Sequence, residues 1–214
     1  MKRRARHQFD AWAQRYDRSL LNHFLFEPSY LVLMEEIARW HAEHGRTSRV
    51  LDVGSGTGTF AGLVAESAHP ARIIGLDYAA NMCVRASAKS RDSAESRRPA
   101  FVNGDSEHLP FADGSFDLIT CANSFHHYPH QQEVVVEMKR VLAPGGRLII
   151  IDGFRDCVIG WFVFDVVIDH IEKNVHHVPW TAMHAYFEAA GFRDIRRRKF
   201  NFWFPAFATI ADRE

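Results

Sequence analysis

The sequence lacks three features that would place it in a specialised class of protein. Its three cysteines, Cys83, Cys121 and Cys157, form no CxxC pair, which argues against a disulfide framework or a zinc knuckle and fits a reducing compartment. Its 26 Lys and Arg balance 26 Asp and Glu, so the basic excess that is typical of nucleic-acid-binding proteins is absent. Its most apolar stretch, residues 157–168, is shorter than the roughly 20 residues that a membrane-spanning helix needs.

The overall composition is that of a globular protein. A hydrophobic fraction of 47% over 214 residues suffices for one domain with a core and excludes disorder of the chain as a whole. The basic residues 1–12 are not followed by an apolar run, so we predict no signal peptide. We expect a cytoplasmic monomer or homodimer without a membrane span, while peripheral contact with a membrane stays open.

Short apolar runs alternate with helical patterns along the chain, which predicts a parallel sheet with helices on both faces. Strands are expected at residues 49–53, 72–77, 100–103, 116–122 and 147–152. Helices are expected at residues 29–44, 59–67, 79–90, 131–142 and 180–190, after an amphipathic N-terminal helix. Strands at 194–200 and 202–210 would form an antiparallel hairpin, with Pro205 confining the second to an edge or a bulge. The predicted fold class is α/β, a doubly wound sheet of seven strands, mostly parallel, with a C-terminal antiparallel β-hairpin.

A glycine-rich loop follows the first predicted strand. Gly54, Gly56 and Gly58 let the backbone turn sharply and approach a ligand, and the next helix presents free N–H groups. Without a ligand, the same pattern is a tight strand-to-helix turn. Dinucleotide-binding loops need a glycine where this chain has Thr59. Asp52, in the strand, would repel a pyrophosphate and attract a cationic group, so a positively charged nucleoside is favoured.

Two further acidic residues lie at the carboxyl ends of the next two predicted strands. Asp77 lies where an acid accepts hydrogen bonds from ribose hydroxyls, and Asp105 lies where it can accept from an exocyclic amine. Either acid alone could equally be a helix N-cap. The carboxyl ends of parallel strands meet at one edge of a sheet, so these acids and the glycine loop are expected to converge on one ligand.

Four motifs in this order resemble the class I S-adenosylmethionine-dependent methyltransferases, and most closely the small-molecule group that includes quinone-biosynthesis enzymes. They are VLDVGSGTG, GLDYAANM, NGDSEHLPFADGSFDLITCANSFHHY and MKRVLAPGGRLIIID. The resemblance implies a Rossmann-like fold and a single methyltransferase domain over residues 1–214. Its parts would be N-terminal helices forming part of a lid (1–45), a cofactor-binding core (49–152), a substrate cap (153–192) and the C-terminal hairpin (193–214).

The resemblance also implies S-adenosylmethionine as cofactor and S-adenosylhomocysteine as product. The glycine loop would hold the methionine moiety with support from Asp52, Asp77 would bind the ribose, and Met82 would pack on the adenine. Tyr16 could close over the cofactor, although a core role is equally consistent. The implied cofactor-binding residues are Tyr16, Asp52, Gly54, Ser55, Gly56, Thr57, Gly58, Asp77, Tyr78, Met82, Asp105, Ser106 and Asn123.

His126 and His127 are the candidate general bases. The sulfonium makes the methyl carbon electrophilic, so the protein has to align a nucleophile in line with the C–S bond and remove its proton where required. Either histidine could instead be a packing residue. We predict no metal site, because Pro129 disrupts a helical pairing with His130 and no cysteine or acid completes a set.

The acceptor is expected to be a small, apolar or aromatic molecule. Its pocket would form between the N-terminal helix and residues 154–180, where aromatic residues could line it or simply form core, and where His176 and His177 could contact a substrate. The basic cluster Arg196–Lys199 raises an RNA acceptor, but alternate strand residues face opposite sides. A protein acceptor, a catalytically silent S-adenosylmethionine-binding protein and, less favoured, an NAD-dependent oxidoreductase stay as alternatives.

Overall fold

The computed structural model describes residues 20–69, 71–153, 178–200 and 205–214, and its centre is a seven-stranded sheet. The strands are β1 Ser48–Val53, β2 Ala71–Asp77, β3 Ala100–Asn103, β4 Phe116–Ala122, β5 Leu142–Gly153, β6 Arg196–Phe200 and β7 Ala206–Asp212. They lie in the order β3-β2-β1-β4-β5-β7-β6. Neighbours from β3 to β5 pair in parallel, whereas β7 runs antiparallel to β5 and β6. The predicted fold class is confirmed.

Helices cover both faces of the sheet. They are α1 Leu20–His44, α2 Thr59–Glu66, α3 Ala80–Lys89, α4 Gln131–Val141 and α5 Trp180–Ala189, with 3₁₀ turns at Ser90–Asp92, Glu95–Arg97 and Phe125–His127. The core under α1 and α2 contains Leu118 and Ile149, and the core under α4 and α5 contains their neighbours Ile119 and Ile150. Because successive strand residues enter opposite cores, the central strands have to be apolar throughout.

Helix α1 begins earlier than the sequence predicts. Pro28 lies inside it rather than before its start. An interior proline removes one helical hydrogen bond, and here the apolar face of α1, with Leu33, Ile37 and Trp40 fully buried, holds the helix against the sheet. The predicted C-terminal stop is confirmed, since Gly45 adopts a positive φ of 64° and donates its N–H to the His41 carbonyl.

The last two strands are paired as predicted, but the expectation that Pro205 confines its strand to an edge or a bulge is wrong. Strand β7 lies between β5 and β6, and Pro205 immediately precedes it, so the missing N–H removes no bond from the ladder. The edge strand is the charged β6. Strand β5 also starts five residues earlier than 147, at Leu142, because Gly145 and Gly146 exchange backbone hydrogen bonds with Arg213.

Several predictions concern segments outside the described residues. These are the amphipathic N-terminal helix with Tyr16 and most of the predicted cap, including His176 and His177. Within the described ranges, no helix is long and apolar enough to cross a membrane.

Candidate functional site

The glycine loop connects β1 to α2 at the carboxyl edge of the sheet, where the strand order reverses between β1 and β4. This switch point is where open α/β sheets bind ligands. The N–H groups of Gly54 and Ser55 both donate to the Leu76 carbonyl, at 2.8 and 3.0 Å, so the loop folds over the end of β2. The Ser55 hydroxyl lies against Gly75 of β2.

The three glycines of the loop serve different purposes. At Gly54 a side chain would overlap the Ser124 hydroxyl, and at Gly58 it would come within 2.7 Å of the Phe101 ring. Gly56 also has a positive φ, of 53°, but a side chain there would meet no described atom within 4 Å. Gly54 and Gly58 therefore permit close internal packing, while Gly56 presents its backbone to open space.

Asp77 lies at the end of β2 and is fixed to this loop. One carboxylate oxygen accepts the N–H of Gly56 at 2.8 Å, and the other accepts the N–H of Ala79 at 2.8 Å. Asn103, which the sequence predictions do not include, donates its side-chain amide to the carbonyls of Asp77 and Tyr78. The ends of β2 and β3 are thus tied together beside Gly56.

The other predicted adenine contacts lie on the same edge. Asp105 accepts the Glu107 N–H at 3.1 Å, which shapes the turn after β3, and Ser106 is buried in that turn. Met82 on α3 is buried, while Tyr78 is partly exposed. The structure therefore brings the predicted strand-end acids and the adenine contacts to one edge of the sheet.

Asp52 is a buried carboxyl on β1, 4% exposed, directly before the glycine loop. The Thr120 hydroxyl on β4 donates to it at 2.9 Å. Among the described residues it has no cationic partner, and burial, with Asp77 nearby, raises its pKa to about 7. A cationic ligand group at this edge would supply the partner that is missing among these residues.

The ends of β4 and β5 bring a histidine and an acid together. His126, in the 3₁₀ turn after β4, is 8% exposed, and its Nδ1 lies 2.6 Å from the carboxylate of Asp152 at the end of β5. Asp152 also accepts the backbone N–H groups of His126 and Gly153. The His127 ring lies 4.1 Å from the His126 ring, between centroids. The sequence predictions do not include Asp152.

Two more arrangements support this turn. Asn123 has a positive φ of 54°, and its side chain accepts a hydrogen bond from Ser29 of α1 at 3.5 Å. Beneath Gly54, Ser124 contacts the Tyr128 hydroxyl at 3.0 Å and the Cys121 thiol at 3.2 Å. Burial raises the pKa of Cys121 to about 12 and that of Tyr128 well above its usual value, so both stay protonated.

Comparison with known proteins identifies the family. A model described as "Methyltransferase domain" matches residues 51–150. An uncharacterised methyltransferase, YcgJ of Bacillus subtilis, is 34% identical over 198 residues, which cover 86% of this chain and 73% of that protein. The chain belongs to the class I S-adenosylmethionine-dependent methyltransferases.

Other members of this methyltransferase family match parts of the chain. A demethylmenaquinone methyltransferase of Deinococcus radiodurans is 39% identical over 129 residues, 59% of this chain, and the match spans about half (52%) of that enzyme. In fold, the chain is similar to magnesium protoporphyrin IX methyltransferase from Synechocystis, with a TM-score of 0.79, 17% identity and full coverage of both chains. That structure holds S-adenosylhomocysteine, and its fold confirms the predicted Rossmann-like architecture.

The cofactor of this methyltransferase is S-adenosylmethionine, as predicted. Two observations fit it. The cofactor carries positive charge, and buried Asp52 has no cationic partner among the described residues, while Gly56 offers an open backbone beside Asp77. Because the chain belongs to this family, the alternative of an NAD-dependent oxidoreductase is rejected.

The potential metal ligands lie around Glu107, in the turn that follows Asp105. Within the described ranges, two groups of acids and histidines are close enough to share an ion, and neither includes His126 or His127. They are Asp105 with Glu107 and His108, and Glu107 with His130 and Glu133. The absence of a metal site stays a prediction.

Proposed function

We propose that the protein transfers the methyl group of S-adenosylmethionine to a small, apolar or aromatic acceptor, with His126 as general base. The observation that carries the proposal is the His126–Asp152 pair at the carboxyl edge of the sheet. The bound cofactor supplies an electrophilic methyl carbon. The glycine loop, Asp52 and Asp77 would hold that cofactor, and the pair would lie toward the acceptor.

The pair is suited to removing a proton. A carboxylate oxygen accepts a hydrogen bond, so Nδ1 of His126 carries the ring proton, and Nε2 then carries the lone pair. As the acceptor nucleophile aligns in line with the C–S bond, Nε2 would take the proton that the nucleophile loses. Asp152 would fix the tautomer and stabilise the imidazolium that results.

Two observations support a small acceptor. The Deinococcus relative is by its name an enzyme of demethylmenaquinone, a quinone. The basic cluster on β6, which raised RNA as an alternative, is engaged within the protein: Arg198 pairs with Glu35, and the Arg197 guanidinium lies 3.5 Å from the centre of the Trp180 ring. The alternation predicted for this strand leaves no single basic stripe.

The test is release of S-adenosylhomocysteine with a panel of phenols, quinols, amines, an unmodified tRNA and a peptide. We expect turnover with an aromatic acceptor. His126→Ala should lower kcat by about 10²–10⁴-fold at neutral pH with unchanged affinity for S-adenosylhomocysteine, and Asp152→Asn should lower it less. His184→Ala is the control, because that histidine pairs with Glu188 on α5.

Other outcomes would contradict the proposal. Turnover with tRNA or peptide alone would assign a macromolecular acceptor. Tight binding of S-adenosylhomocysteine without turnover of any acceptor would favour a silent binding protein. Full activity of His126→Ala, with a loss in His127→Ala, would move the base to the neighbouring histidine.

A further inference from the structure

The turn that carries Asp105 and Ser106 continues into residues 107–113. Two side chains of helix α4 form hydrogen bonds with the backbone of this segment. The Glu137 carboxylate accepts the Leu109 N–H at 3.0 Å. Arg140 donates to the carbonyl of Leu109 at 3.0 Å and to that of Phe111 at 2.9 Å. The backbone N–H and C=O of Leu109 are therefore both held from one turn of one helix.

Glu137 and Arg140 also hold each other. Two guanidinium nitrogens lie 2.9 Å from the two carboxylate oxygens, the geometry of a bidentate charge-assisted pair. The Arg140 hydrogen bonds lower the pKa of Glu137, so the pair stays ionised at neutral pH. Arg140 in addition bonds Asp113 at 2.7 Å. We call Glu137 and Arg140 the clasp.

The clasped segment makes few backbone bonds of its own. The Phe111 N–H donates to Leu109, and the His108 N–H donates to Asp105, so its own bonds are turns and a single bridge rather than a ladder. Leu109, four residues after Asp105, is buried in the core and gripped by the clasp. The position of Leu109 then fixes how far the Asp105 turn reaches over the end of β3.

The same helix also holds the catalytic turn. The side-chain amide of Gln131, at the start of α4, donates to the Phe125 carbonyl at 3.1 Å, next to His126. One helix thus contacts both the segment after Asp105 and the turn of His126.

We propose that Glu137 and Arg140 are positioning residues for the cofactor, which place Asp105 and Ser106 at the adenine edge without touching the cofactor themselves. The inference rests on the proposed roles of Asp105 and Ser106. An experiment can distinguish this role from a purely structural one, because only a displacement of Asp105 changes the preference of the site for a base with a 6-amino group.

The experiment compares two ligands by calorimetry. The two ligands are S-adenosylhomocysteine and S-inosylhomocysteine. In the second, an oxygen replaces the 6-amino group, and this oxygen cannot donate a hydrogen bond to Asp105. We expect the wild type to prefer the adenine form by about 10–100-fold, the effect of one hydrogen bond to a charged group. Arg140→Met should reduce this preference to about 1–3-fold. Arg140→Lys should restore it only in part, because an ammonium lacks the planar fork that reaches two carbonyls.

The control is Lys139→Met. Lys139 is the neighbouring residue on α4 and also donates to a backbone carbonyl, that of Gly191, but away from the Asp105 turn. Its loss should leave the ligand preference unchanged. Should Arg140→Met fail to fold, Glu137→Gln, which keeps the shape and removes the charge, decides the question with the same two ligands.

Each result has a distinct meaning. Equal weakening of both ligands, with the preference kept, would show that the clasp only stabilises the fold and would overturn the inference. A wild type that binds S-adenosylhomocysteine without preferring it would remove the role of Asp105 and the inference together, while the proposed methyl transfer would stand. A wild type that does not bind S-adenosylhomocysteine would overturn the proposed function as well.

Discussion

Two buried aspartates on neighbouring strands differ in their partners, and their pKa values move in opposite directions. Asp117 lies on β4 near the amino edge of the sheet. Its carboxylate accepts hydrogen bonds from the Arg46 and Arg49 side chains and from the Arg49 N–H, all at 2.9–3.0 Å. Burial alone would raise its pKa, but the two arginines hold that pKa well below the usual range. Asp52 lies on β1 near the carboxyl edge. It accepts a hydrogen bond from the Thr120 hydroxyl, and burial raises its pKa to about 7.

The contrast extends to the two edges as a whole. At the amino edge, the buried Arg147 is bonded by Glu36, Glu43 and Asp212. At the carboxyl edge, Asn123 is held at a positive φ. The buried charges at the amino edge are thus matched within the protein, whereas Asp52 at the carboxyl edge has no cationic partner among the described residues. A cationic cofactor at the carboxyl edge would supply a partner for the Asp52 carboxylate.

The largest effect is expected from Gly56→Ala, with Gly45→Ala as its match. Both glycines have a positive φ, 53° and 64°, and at both a side chain would meet no described atom within 4 Å. The backbone strain should therefore cost both variants about 1–2 kcal/mol of unfolding free energy. Only Gly56→Ala should lose affinity for S-adenosylhomocysteine, by at least about 100-fold in calorimetry, because its methyl group occupies the space of the cofactor.

Equal ligand affinity in these two variants would mean that the open side of Gly56 is not where the cofactor lies. The distinction between a ligand-binding edge and a structural edge would then lose its main support.

Much of this edge follows from the sequence because its signals are local. A strand that ends on a glycine loop, with Asp77 ending the next strand and Asp105 following the one after, predicts this arrangement without knowledge of the sheet order. The pairing of His126 with Asp152 joins residues 26 apart, one in the turn after β4 and one at the end of β5. It depends on which strands are neighbours, and local pattern does not contain that. The signal that could have found Asp152 is the acid at the end of the fifth apolar run, equivalent to Asp77.

The same reasoning explains the errors in the fold. Pro28 and Pro205 are local signals for a helix start and an edge strand, and tertiary packing overrides the first. Pro205 misleads because it falls one residue before its strand, and element boundaries are the least certain part of any pattern.

Asp117→Asn removes the carboxylate that pairs with two arginines at the amino edge. We expect it to lower the unfolding free energy by about 2–3 kcal/mol at pH 7. An amide cannot accept the charged hydrogen bonds of both arginines, which are themselves about half exposed. The folded-state pKa of Asp117 is lowered, so its stabilising contribution is complete above the unfolded pKa of about 4 and fades as the pH falls below it.

Urea denaturation of Asp117→Asn and wild type at pH 7 and pH 3 measures this difference, which should shrink at the lower pH. Affinity for S-adenosylhomocysteine is expected to stay within about twofold of wild type. A large loss of ligand affinity with intact stability would contradict the division of labour between the two edges.

The prediction that sharpens the comparison most concerns the titration of Asp52. Its folded-state pKa of about 7 exceeds the unfolded value of about 3.9, so between these values the folded protein binds more protons and stability falls as the pH rises. Asp52→Asn lacks this titration, so the wild type should lose stability relative to the variant from pH 4 to pH 7. Above that range the difference should level off.

The ligand reverses that penalty. The ammonium of S-adenosylhomocysteine favours ionised Asp52, so binding to the wild type should release a proton near pH 6–7 and strengthen by up to about tenfold from pH 6 to pH 8. Calorimetry in two buffers of different ionisation enthalpy measures the proton directly, and Asp52→Asn should release none. A wild-type affinity that stays flat over this range would show that Asp52 is not the partner of the ammonium. The carboxyl edge would then keep a buried acid for a purely structural reason, as the amino edge does with Asp117.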